Sequence, residues 1–138
     1  MIETVLGSLA SGLPKLLGHF VAAAAIYAAG MAVYLRLTPY HELDLVRRGN
    51  VAAAITLAGA IVGLAIPIAM TLATSVNAAD ILVWGAASAV LQAAAFGVAS
   101  LALRDLPAAV ERGDVASACI VAATQLAVGI VNAGAMAG

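Results

Sequence analysis

Residues 49–79, GNVAAAITLAGAIVGLAIPIAMTLATSVNAA, contain no Asp, Glu, Lys or Arg. A helix needs about 20 apolar residues to cross a hydrocarbon core of ~30 Å, because each residue rises about 1.5 Å. This run is longer than that. Working outward, residues 81–103 and 115–138 on one side and 16–35 on the other are also free of charge. Short charged segments separate the four runs. The pattern predicts an all-α, polytopic membrane protein with four transmembrane helices. Composition agrees: 64% of the 138 residues are hydrophobic and 9% are charged, against about 25% charged in soluble domains. So few charges cannot cover a water-facing surface.

The net charge of −1 leaves no basic surplus to neutralise phosphates, which argues against nucleic-acid binding. Cys119 is the single cysteine, so no intrachain disulfide can form. The length allows one membrane domain, 1–138, and no separate soluble one. Lys15 followed by Ala22–Ala25 superficially fits a cleaved leader, but the apolar run continues through Tyr34.

Pro14 is placed to start a helix, where its missing N–H costs nothing. The first span is expected at about 15–37, with Met1–Leu13 either lying at the interface or extending it. Thr38-Pro39 ends it, since proline disfavours helical geometry in the residue before it. Within the 38–49 loop, His41–Arg48 reads as a short amphipathic helix in which Asp44 can pair with Arg47 or Arg48. Asn50 caps a second span. Asp80 is the expected cap of the third and Asp114 that of the fourth, with 104–114 as the loop between them.

Arg48-Gly49-Asn50-Val51-Ala52-Ala53-Ala54 matches Arg112-Gly113-Asp114-Val115-Ala116-Ser117-Ala118 at an offset of 64 residues. The chain therefore reads as two tandem, parallel helical hairpins, at about 15–74 and 81–136. Arg36, Arg47, Arg48, Arg104 and Arg112 lie at one end of the spans and Lys15 at the other. The positive-inside rule then makes loops 38–49 and 104–114 cytoplasmic and both termini external. Tyr34 and Tyr40 would belong to the inner aromatic belt.

The run Thr38-Pro39-Tyr40-His41-Glu42-Leu43, then Arg48-Gly49-Asn50-Val51, then Gly59, Gly63 and Ile66-Pro67, with Trp84, Gln92 and Gly129…Asn132-Ala133, resembles the bacterial membrane family called domain of unknown function 350. The resemblance covers essentially the whole chain. The second copy lacks a Thr-Pro-Tyr. The resemblance implies a four-helix inner-membrane protein of a family without an assigned activity, some of whose members are linked by gene neighbourhood to envelope-stress proteins.

Polar groups inside a bilayer are costly, so they are the natural candidates for function. Gln92, Gln125 and Asn132 are the intramembrane amides. They would either hydrogen-bond between helices or line a path or a ligand headgroup. Gly59, Gly63 and Pro67 lie four residues apart on one stripe, suited to close helix packing or a hinge, with a kink expected at Pro67. Glu42, Asp44, Arg47, Arg48 and Arg112 are expected as surface charges of cytoplasmic docking faces. No catalytic set, metal-ligand spacing or cofactor motif appears. The leading expectation is a non-enzymatic inner-membrane module that oligomerises or binds a membrane or peripheral stress-protein partner. The alternatives are a small oligomeric channel with an amide-lined path, and a lipid- or quinone-binding module.

Overall fold

A computed structural model describes all 138 residues. Six helices follow in order: α1 Ile2–Leu37, α2 Glu42–Arg47, α3 Val51–Thr74, α4 Ala78–Ala102, α5 Leu106–Glu111 and α6 Val115–Ala137. There are no strands. The four long helices α1, α3, α4 and α6 are each apolar and long enough to cross a membrane. The short α2 and α5 sit in the charged loops at one end of the bundle.

Helix α1 does not begin at Pro14. It starts at Ile2, so that Met1–Leu13 extends the first span, and carries Pro14 inside it. Its 36 residues span about 54 Å at 1.5 Å per residue. The third long helix is capped by Asn77, not Asp80: Asn77 Oδ1 accepts from the Asp80 N–H at 3.0 Å, and Asp80 Oδ2 accepts in return from Asn77 Nδ2 at 3.2 Å. Two residues able to cap stand three apart, and the first of them occupies the position whose side chain reaches the open N–H.

Neighbours along the chain are not the closest partners in space. The tightest pairing is α3 with α6, while α1 lies against both α4 and α3. The two halves are interleaved. Glycine makes the α3–α6 approach possible. A Cβ on Gly59 would sit 2.5 Å from the Ala122 Cα, and one on Gly129 would collide with the Gly63 carbonyl oxygen. That carbonyl is the one Pro67 cannot serve, having no N–H to donate four residues on. Gly129, having no Cβ, lets the backbone of α6 close over it. Helix α3 continues through Pro67 to Thr74.

Helices α2 and α5 end on the same turn. The N–H groups of Gly49 and Gly113 donate to Val46 and Val110, and those of Asn50 and Asp114 to Leu45 and Ala109. Both glycines adopt positive φ, 84° and 82°, which a side chain would resist. The cap residues then diverge. Asp114 accepts from the N–H groups of Ala116 and Ser117 and from the Ser117 hydroxyl. Asn50 accepts from Ala53 N–H, and its Nδ2 also donates to the Val110 and Glu111 carbonyls at 2.8 and 3.3 Å, tying the first half to the end of α5. Asn50→Asp keeps the cap and loses the donor. We expect it to lower stability by about 1–2 kcal/mol, read from thermal unfolding in detergent. No shift in midpoint would show that the tie carries no stability.

Candidate functional site

Helix α2 is one and a half turns long and lies against α3. Glu42, Leu45 and Val46 share its inner side, at i, i+3 and i+4 spacing, and Leu45 and Val46 pack on the core around Tyr34, Phe96 and Val121. Glu42 is carried inward with them and is only 1% exposed. This corrects the expectation of a surface charge. The Tyr34 hydroxyl donates to Glu42 Oε1 at 2.7 Å, and the Thr56 hydroxyl, from α3, lies 3.1 Å from the same oxygen. Tyr40, itself buried, lies in the same cluster as Tyr34, but its hydroxyl and Glu42 Oε2 have no hydrogen-bond partner in the protein. Tyr34 and Tyr40 are therefore both buried and do not face lipid as a belt; Tyr34 also packs edge-on against Phe96 with ring centroids 5.0 Å apart.

No cation compensates Glu42. The one ion pair in the chain is Arg47 with Asp44, at 3.5 Å on the exposed side of α2. Burial pushes the Glu42 carboxyl above the usual carboxylate range, against the smaller opposing pull of the Tyr34 and Thr56 hydroxyls. The arrangement can hold a proton at the loop end of the bundle, clasped between α1, α2 and α3.

One layer deeper, Gln92 Nε2 on α4 donates to the backbone carbonyl of Gln125 on α6 at 2.9 Å. Gly63 on α3 makes room for this bond: a Cβ there would lie 2.5 Å from Gln92 Nε2 and 2.8 Å from the Gln125 oxygen. The Gln125 side chain is fully buried. Its amide oxygen and nitrogen, and Gln92 Oε1, have no partner within the protein. With Tyr34 they border a void of about 10 Å³, the size of a single water.

Asn132 shares a face of α6 with Gln125 but lies two turns away, at the opposite end of the bundle. It does not join the other two amides. It lines a cleft with Asp80, Trp84 and Ser88. Gly59, Gly63 and Pro67 all lie on the buried face of α3. Asp44, Arg47, Arg48 and Arg112 remain exposed on the loop end. Sequence reasoning missed Tyr34, Tyr40 and Thr56 around Glu42. The spacing of Glu42 with Leu45 and Val46 was the available signal.

Over residues 8–136 the chain matches the family described as Domain of Unknown Function (DUF350). Two relatives, the UPF0719 inner membrane protein YjfL of Escherichia coli K12 and its namesake in Escherichia coli O157:H7, are each 26% identical over 118 residues, 86% of this chain and 89% of theirs. No solved structure matches.

Proposed function

The chain belongs to the family described as Domain of Unknown Function (DUF350), and from that membership we propose that it acts as a non-enzymatic, self-associating module of the inner membrane. The observation that carries this is the free half of α1. Residues 1–18 are exposed throughout, whereas Ala23 is the first residue of α1 to be buried, packing with Leu64, Ile68 and Ile81. Helix α1 thus runs past the end of the bundle by roughly 25 Å at 1.5 Å per residue. Ile2, Leu6, Leu9, Leu13, Leu16 and Phe20 follow alternating steps of four and three, all exposed, with Thr4, Ser8, Ser11 and Lys15 on the other face. Such spacing forms the seam of a coiled coil, and a second copy supplies its other side. Copies in one bilayer share an orientation, so the pairing is parallel and in register.

Disulfide trapping in native membranes tests this. In a Cys119→Ala background, Leu9→Cys is expected to give an oxidant-induced dimer and Ser8→Cys to stay monomeric. Equal crosslinking at both positions, or at neither, would remove the proposal's support. The exposed Asp44, Arg47, Arg48 and Arg112 at the other end support a docking face for a peripheral partner. The amide-lined channel has less behind it, because the space beside Gln92 and Gln125 admits nothing larger than water.

A further inference from the structure

Two cavities meet at Asn132. One, of about 460 Å³, opens at the end of the bundle away from the charged loops and is lined by Thr74, Asp80, Trp84, Ser88 and Asn132 among others. The other, of about 390 Å³, is walled by Leu91, Val128 and Val131 and shares Asn132 with the first. Together they form one groove, polar at the bundle end and apolar along the flanks of α4 and α6. That is the shape of an amphiphile, head at the interface and tail toward the middle of the bilayer.

The lining residues say which head. Asp80 is the single charged side chain among them, and no Lys or Arg is present. Its Oδ2 is engaged by Asn77 Nδ2 and by the Val76 N–H, which fixes the carboxylate and leaves Oδ1 free. Trp84 stands one turn further along α4 with its indole exposed. A carboxylate beside an indole favours a cation, through charge and through the ring face, and the free Oδ1 accepts hydrogen bonds that a primary ammonium can donate and a quaternary one cannot. An anionic head would meet Asp80 with nothing to offset it. Asn132 Nδ2 is a buried donor without a partner in the protein, and leaving such a group unpaired is costly. Asn132 lines both cavities, and turning its amide over, which exchanges oxygen and nitrogen in place, brings that donor into the groove at the junction of the polar and apolar parts, where a phospholipid carries its phosphate and ester oxygens.

We propose that this groove binds one glycerophospholipid bearing a primary ammonium head. The ammonium sits against Asp80 and Trp84, a phosphate or ester oxygen accepts from Asn132, and an acyl chain lies along Leu91, Val128 and Val131. Only membrane placement is assumed from the proposed function above; self-association can fail without touching this site.

The test is native mass spectrometry of the intact protein released from mixed vesicles. The vesicles hold equal amounts of phosphatidylethanolamine, phosphatidylcholine and phosphatidylglycerol with identical acyl chains. The unaltered chain is expected to retain the ethanolamine lipid about fivefold over each of the others. Asp80→Asn is expected to bring that ratio to about one with total bound lipid maintained. Because Asp80 also braces the α4 turn, Trp84→Leu, outside the turn, serves as the second variant and is expected to lower the same ratio. Asn132→Leu is expected to reduce bound lipid of every head group. Equal retention of all three lipids, preference for the glycerol head, absence of bound lipid, or a ratio unmoved by both Asp80→Asn and Trp84→Leu would each overturn the proposal.

Discussion

Gly129→Ala is expected to destabilise the bundle by about 1–3 kcal/mol, the range for forcing an extra methyl into a packed interior. The new Cβ would meet the backbone carbonyl of Gly63, and a backbone cannot rotate aside as a side chain can. Helix α6 must move off α3, and the Gln92–Gln125 bond, which joins α6 to α4, is disturbed with it. Gly134→Ala, five residues further along the same helix, is the control: nothing lies within 4 Å of its Cβ position. It is expected to be neutral or to stabilise by up to about 1 kcal/mol through helix propensity. Denaturant unfolding in mixed micelles separates the two. Equal effects of the two substitutions would mean that the α3–α6 approach is less close than described.

The second large effect concerns Glu42. Its carboxyl titrates above the ordinary value of 4.5 in the folded state because it is buried. The unfolded chain therefore gives up this proton more readily than the folded one. The stability Glu42 contributes is fully present below pH 4.5 and is lost as pH rises through its folded value, by at most about 1.4 kcal/mol per pH unit. Glu42→Gln, which mimics the protonated form, is expected to match the parent at acid pH and to exceed it in stability at alkaline pH. The comparison also cancels Asp114, whose carboxyl is held low by Ser117 and runs in the opposite sense. Glu42→Leu is expected to cost about 1–3 kcal/mol at acid pH, because the Tyr34 hydroxyl loses its acceptor inside the bundle, and to cost less as pH rises. A parent and a Glu42→Gln variant with identical pH profiles would sink the account of a protonated, clasped carboxyl.

The spans could be read from sequence because the bilayer imposes a length and forbids charge, and both constraints are written in consecutive residues. The caps at Asn50 and Asp114 are local in the same way. Glu42 is different. Its burial depends on how α2 lies against α3, and its partner Thr56 comes from another helix. A carboxylate beside Asp44, Arg47 and Arg48 reads as one more surface charge until α2 is docked. The start of α1 was obscured by Pro14, whose preference for a first turn is real but is only a preference. Asn132 was visible as an intramembrane amide, yet its company of Asp80 and Trp84 arises from α4 and α6 meeting across a gap in the chain. The α3–α6 pairing itself joins residues more than 60 positions apart, beyond the reach of any periodicity.

That pairing sets a schedule for biogenesis. The glycine face of α3 and the Gly63 carbonyl that Pro67 leaves unserved find their cover only when Gly129 arrives, 66 residues later in the chain. At synthesis rates of about 5–20 residues per second, the wait lasts roughly 3–13 s. For that time the nascent α3 stands in lipid with a smooth, open flank and a bare carbonyl. It can be claimed by the α3 of a neighbouring nascent chain before its own α6 exists. Ribosomes crowded on one message would raise that hazard, so faithful assembly of this protein depends on how far apart its copies are inserted.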